Sequence, residues 1–323
     1  MAHVPSDLSA VAVPPDGFFR AGDASNTYCW IRDNKWRRGD RDRIEAMWTR
    51  YRPLCRDPKF CKDAMRHFNA RVWQMYLACV LLDHGHVLEA SGADAPDIKI
   101  RRPDGGVIWI EVTTSEAGEG SNRAKRIYQS DPSLGSAGYQ LDETKMILRY
   151  QVAIRSKLEH RERFIARGVI DACDPYVIAI NAADIDDADA DDGLPNIVRA
   201  VYPIGELHFV NRVNFDETVR DEDEHAVRPY TPSVTTPKGV PASTIGFADG
   251  SMAGASAIIF SPYGIWHAPA DAGRECITVY NYTASLPIAI DSFQFGESFH
   301  GIHGDGTALL LGHHIWRGGL PQR

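Results

Sequence analysis

The period of the apolar positions changes several times along the chain, and each change marks an element. Residues 40–51 (DRDRIEAMWTRY) predict a short helix that stops before Pro53. Residues 62–84 predict a strong helix closed by Gly85, with a second half apolar nearly all round, as in a helix buried on more than one side. Three short strand patterns follow, at 86–90, 97–101 and 107–114, and the last two alternate polar with apolar. Between them stands Arg102-Pro103-Asp104-Gly105-Gly106, a hairpin turn signal. Residues 115–140 are rich in Gly and Ser and read as a long loop. A helix over about 141–167 carries the apolar stripe Ile147, Tyr150, Ile154 and Leu158 among basic residues, with Gly168 as its stop. The continuous apolar run 175–181 (PYVIAIN) predicts a central strand buried on both faces. Residues 1–25 read as a poorly ordered lead-in, 228–241 as a Pro- and Thr-rich loop, and 257–260 and 276–280 as further strands.

A chain of 323 residues exceeds one minimal core. The divisions expected are an N-terminal extension over 1–60, a core over 61–181, and an extension or second subdomain over 182–323, with the acidic run 184–192 at the boundary. No apolar run is long enough to span a bilayer and the first residues lack a signal-peptide pattern, so a cytoplasmic location is expected. The six cysteines are scattered without a C-x-x-C pair, which argues against zinc knuckles and for reduced thiols. The net charge of −8 does not suggest a nucleic-acid binder, but the charges are segregated. Base gathers at 32–43, beside Trp30 and Trp36, and along 149–167. Arg and aromatic residues interleaved in this way can grip phosphates and stack on bases; an ordinary surface held by Asp33, Asp40 and Asp42 is the favoured reading of 32–43.

The hairpin makes a geometric test possible. Side chains alternate faces along a strand, so Val107, Trp109, Glu111 and Thr113 share one face, and Asp97, Lys99 and Arg101 share one face of the partner strand. With a three-residue loop, Pro103-Asp104-Gly105, Arg102 pairs with Gly106 and Asp97 falls opposite Glu111. Opposed Cβ atoms lie roughly 4.5–5.5 Å apart, and two carboxylates that close need a cation between them. A two-residue loop would slip the register by one and break the pair.

The order helix, strand, strand, strand, helix, strand, with Pro96-Asp97 opening one strand and Glu111-Val112-Thr113 near the end of the next, resembles the core of the PD-(D/E)XK (restriction-endonuclease-like) nuclease superfamily. The resemblance covers residues 61–181. It implies an α/β fold with an αβββαβ core, a mixed sheet flanked by helices, an N-terminal helical lead-in and a C-terminal α+β extension. It further implies metal-dependent hydrolysis of nucleic acid, DNA rather than RNA, of the kind used in restriction, repair or phage defence, and a possible homodimer. Asp97 and Glu111 would hold Mg²⁺ or Mn²⁺. The family places a Lys two residues after the Glu; here that position is Thr113, which cannot supply a charge. Lys157 is the first substitute by position, followed by Lys145 and Lys99. The polar intruder in the first helix is Gln74, where the family often has an acid, and a site carboxylate or metal-bound water would satisfy it. The alternative is a nuclease fold that has lost catalysis and serves as a nucleic-acid-binding or protein-interaction module.

Other motifs exclude other chemistries. The run 187–198 fails the calcium-loop template, because Gly193 falls one place late and Val198 stands where Glu is required. His300, His303, His313 and His314 have no acid or Cys at a recognised metal spacing. Walker, dinucleotide-binding and nucleophile-elbow motifs are absent.

Overall fold

The structure is a computed structural model that describes residues 16–124, 126–131, 136–190, 193–211, 224–264, 271–303 and 309–316. The helices are α1 (Asn26–Asp33), α2 (Arg38–Tyr51), α3 (Phe60–Ala64), α4 (Phe68–Asp83), α5 (Glu143–Ala166) and α6 (Asn196–Arg199). The strands before α5 are β1 (Val87–Glu89), β2 (Ile98–Arg101), β3 (Val107–Thr114), β4 (Arg126–Asp131) and β5 (Ser136–Leu141). Those after it are β6 (Tyr176–Asn181), β7 (His208–Asn211), β8 (Glu224–Val227), β9 (Ser233–Thr235), β10 (Pro241–Ser243), β11 (Ala257–Ser261), β12 (Ile277–Tyr280), β13 (Gly296–His303) and β14 (Leu309–Trp316). No described helix is long and apolar enough to cross a membrane.

The chain is an α/β protein organised on one mixed sheet of eight strands, in the order β1-β2-β3-β6-β11-β12-β13-β14. β2 is antiparallel to both its neighbours, whereas β3, β6 and β11 run parallel. β6 occupies a central place and is buried at every position, as its unbroken apolar pattern requires. β11 to β14 extend this same sheet, whereas β7 with β8 and β9 with β10 form separate two-stranded sheets.

Helices cover both faces. On one, Ile98, Ile100, Ile110, Val177 and Ala179 pack with α2, α3 and α4. Trp73 Nε1 of α4 donates to the Ala179 carbonyl at 3.3 Å and ties this layer to the sheet. On the other face, Trp109, Tyr176, Ile178 and Phe260 meet Met146, Ile147, Tyr150 and Ile154 of α5. These α5 residues recur at helical spacing, which explains why one stripe is buried and the rest is charged.

Four expectations are corrected. The helix expected over 62–84 is two helices, α3 and α4, with a break at residues 65–67 where the Met65 carbonyl accepts the Ser25 N–H at 2.7 Å. The segment from residue 16 onward is not a loose lead-in: Phe18 and Phe19 are fully buried, and their N–H groups donate to the Glu45 carboxylate. Residues 1–15 lie outside the described residues. The loop expected over 115–140 contains the β4–β5 hairpin, and the loop expected over 228–241 contains β9 and begins β10, which pair with each other.

Candidate active site

The turn between β2 and β3 sets the site. Arg102 N–H donates to the Gly106 carbonyl at 2.8 Å, and Gly105 takes the positive φ of +86° that only glycine adopts without strain. The loop is therefore the three-residue form. The pairs run Arg101 with Val107, Ile100 with Ile108, Lys99 with Trp109 and Ile98 with Ile110. One step further, Asp97 stands beside Glu111. Its Oδ2 accepts the Val112 N–H at 2.8 Å, which holds the carboxylate against β3.

Glu111 is buried on the face of β3 that α5 covers. Lys157 Nζ of α5 donates to Glu111 Oε1 at 2.9 Å, and His160 Nδ1, one helical turn on, lies 3.2 Å from the same oxygen. The Tyr176 hydroxyl of β6 donates to the Lys157 carbonyl at 3.3 Å and pins that turn of α5 to the sheet. Glu111 Oε2 carries no hydrogen bond among the described residues.

The opposite wall comes from α4. Arg71 Nη1 donates to Gln74 Oε1 at 2.9 Å and lies 3.7 Å from Asp97 Oδ1. Its other nitrogen faces Asp57 at 3.7 Å and Asp63 at 3.5 Å, and its guanidinium sits over the Phe60 ring. Gln74 Nε2 donates to the Tyr51 hydroxyl at 2.6 Å. The partners of Gln74 are thus Arg71 and Tyr51, not the site carboxylate or bound water expected from sequence. Tyr51, Asp57, Arg71, Gln74, Asp97, Glu111 and His160 line a cleft of about 610 Å³, closed on one side by 91–97 and on the other by the last turns of α5. Ser91 anchors the first wall: its Oγ donates to the Pro96 carbonyl at 2.6 Å, and its backbone bonds Leu54 and Arg56.

Burial and like charge shift the acids. Burial, and then the neighbouring Glu111, push Asp97 up to about 7. Burial also raises Glu111, opposed by the charge of Lys157 and its hydrogen bond. Burial, and then the charges of Lys157 and Arg163, lower His160, which favours the neutral imidazole. With Glu111 ionised, the tautomer that donates from Nδ1 satisfies the contact and leaves Nε2 as an acceptor.

Of the residues singled out from sequence, the fold brings together Asp97, Glu111, Lys157 and Gln74. Lys145 is engaged with Asp142 at the start of α5, at 2.8 Å, and Lys99 with Glu89 at 2.8 Å. Thr113 shares the Glu111 face but does not line the cleft; its hydroxyl makes a long contact to the Thr114 carbonyl. Sequence reasoning missed Arg71, His160 and Tyr51. His160 lies three residues beyond Lys157, a spacing that puts both on one face of a helix.

The other candidate motifs find structural uses. Arg32 bonds Asp33 and the Arg20 and Gly22 carbonyls, Arg37 and Arg38 pair with Asp40 and Asp42, and Arg41 caps the Ile31 and Arg32 carbonyls. Asp184 accepts from Asn69 Nδ2 at 2.6 Å. His313 contacts Glu297 at 3.1 Å and the rings of His300 and His314 stack, far across the sheet from Asp97; the side chain of His303 lies outside the described residues.

Among the described residues no group of three or more His, Cys, Asp or Glu side chains is placed to hold a metal unaided. Two adjacent carboxylates nevertheless suit Mg²⁺, which is commonly held by one or two carboxylates and fills its shell with water and phosphate oxygen. Asp97 Oδ1 and Glu111 Oε2 are the oxygens with capacity left. Comparison with known proteins finds no matching family model, no matching curated protein and no matching solved structure.

Proposed function

We propose that the chain is a Mg²⁺-dependent phosphodiesterase acting on nucleic acid, with a PD-(D/E)XK-like core in which the cation of the motif has moved from strand to helix. The observation that carries this reading is that Asp97 and Glu111 enter one cleft side by side, with Lys157 Nζ bonded to Glu111 from behind. The helix–strand order α4, β1, β2, β3, α5, β6, with the β4–β5 hairpin inserted before α5, is in keeping with it. Asp97 and Glu111 would hold the ion, which when bound polarises a phosphate and lowers the pKa of a coordinated water.

The chain's own residues have separable tasks. Lys157 neutralises Glu111 and offers a positive charge beside it, the place the family gives to the residue at Thr113. Neutral His160, held through Nδ1 by Glu111, presents Nε2 as an acceptor for a proton from water. Arg71 faces Asp97 and can meet a phosphate oxygen when substrate enters. The Arg71–Gln74–Tyr51 chain fixes the guanidinium from behind, so that little reorganisation is required on binding.

The test uses the whole chain with plasmid, single-stranded DNA and RNA in Mg²⁺, Mn²⁺ or EDTA. Metal-dependent cutting, lost in Asp97→Ala and Glu111→Ala, supports the proposal. Binding without cutting, indifferent to those substitutions, overturns it in favour of a nuclease-like fold used as a binding module.

A further inference from the structure

The site-facing stripe of α5 continues past the carboxylates. Lys157, His160 and Phe164 recur at helical spacing with Arg167, the residue that caps α5, and Arg163 precedes Phe164. Of these, His160, Arg163, Phe164 and Arg167 line the cleft that Asp97 and Glu111 enter. The rise of about 1.5 Å per residue puts the Cα atoms of Arg163 and Arg167 about 9 and 15 Å along α5 from that of Lys157. Arg163 is exposed, makes no ion pair among the described residues, and still acts on Glu111 through its charge. Among the described residues the Arg167 guanidinium pairs with Asp94 alone, at 3.5 Å, in a pair exposed on both sides that water and phosphate can displace. Phe164 is half-buried beside them, its ring edge-on to His160. The acid on the far wall, Asp57, faces Arg71.

A cleft of about 610 Å³ is of the size that takes a small ligand or a nucleotide. Specific duplex recognition instead buries on the order of 1,000 Å² or more of a strongly basic surface. Among the described residues most arginines outside this cleft are tied to acids or backbone carbonyls, as at Arg32, Arg38, Arg50 and Arg199. Cations along one wall with an aromatic ring between them match a single strand, whose phosphates track the charges while a base stacks.

Resting on the reading of the cleft as a phosphodiesterase site, we propose that its substrate is a single-stranded polynucleotide laid along α5, with Arg163 and Arg167 binding phosphates beyond the scissile one and Phe164 stacking a base. Single-stranded DNA and RNA offer the same phosphates and ring faces, and the arms of the test separate them.

The experiment measures fluorescence anisotropy of labelled dT and rU oligonucleotides, and of a blunt DNA hairpin of equal length, with the Asp97→Asn protein in EDTA across a salt series. Single strands bind more tightly than the hairpin. Arg163→Ala and Arg167→Ala, both surface changes, each lower the slope of log affinity against log salt by about 0.7. Phe164→Leu, which keeps the packing volume, weakens binding about ten-fold and leaves the slope unchanged. Tighter binding of dT or of rU identifies which single strand is preferred. A hairpin bound as tightly as the single strands, or slopes unmoved in both arginine variants, overturns the proposal. Cleavage by the unaltered protein is measured separately. Cutting with unmoved slopes removes this inference alone, and expected slopes without cutting remove the hydrolytic reading alone.

Discussion

Lys157 and Glu111 stand 46 residues apart in the chain and 2.9 Å apart in space, one on α5 and the other on β3. Both are largely buried, with side chains 14% and 7% exposed. A pair so placed gains its Coulomb energy only against a desolvation cost, and it becomes expensive when one partner is lost.

Lys157→Met is therefore expected to destabilise the fold by roughly 3–5 kcal/mol near neutral pH, because it leaves Glu111 buried without its cation. Lys157→Met combined with Glu111→Gln should recover most of that loss. Urea unfolding of the two single variants and the double variant closes the cycle. Additive losses would show that the contact contributes nothing.

The displacement of the cation is itself testable. Thr113 lies two residues from Glu111 on the same strand face, within reach of a long side chain. On the proposed function, Lys157→Met alone is expected to abolish metal-dependent cutting, and Thr113→Lys added to it is expected to restore it. Restoration by Thr113→Met instead would assign the effect to packing.

Asp97 ties stability to pH. Burial, and then Glu111, push its carboxyl up to about 7 in the fold, above the ordinary Asp value of 3.8 that the unfolded chain is taken to keep. Between those values the folded state holds the proton that the unfolded state has released. Stability from this group is thus greatest below about 4, declines as pH rises through 7, and is level above. Asp97→Asn keeps an acceptor for the Val112 N–H and removes the ionisation. In EDTA it is expected to melt above the parent at pH 8, and to lose that advantage near pH 4. Mg²⁺ should narrow the gap at pH 8 by stabilising the parent alone. An equal effect of the substitution at both pH values would contradict the shift.

Gln74→Ala removes the partner of the Tyr51 hydroxyl and one anchor of Arg71. A cost of about 1–3 kcal/mol follows from the groups left unpaired. Cleavage should fall as well, since Arg71 loses its support. A stability loss with unchanged kcat and KM would make Gln74 purely structural.

Much of this arrangement was legible before any coordinates. β3 and β6 carry unambiguous strand patterns, and the β2–β3 turn signal allows the three-residue loop on which the Asp97–Glu111 register depends while leaving the two-residue form open. Lys157 is one of three lysines, with Lys145 and Lys99, that the sequence offers in place of Thr113, and the packing of α5 against β3 selects it. What stayed hidden lacks a local signal. The break between α3 and α4 has no Gly or Pro; it exists where Ser25 bonds the Met65 carbonyl, a contact from 40 residues away. Arg71 and Tyr51 join the site only because α2 and α4 pack side by side. Phe18 and Phe19 did carry a cue, two adjacent aromatics in a segment otherwise without pattern, and they are buried.

The central claim is that Asp97 and Glu111 together hold one divalent cation, and calorimetric titration of the metal-free protein with Mn²⁺ at pH 8 tests it most directly. The account predicts one site whose affinity falls at least ten-fold in Asp97→Asn and in Glu111→Gln, and weakens as pH drops below 7. No saturable binding, or binding indifferent to both substitutions, would contradict it.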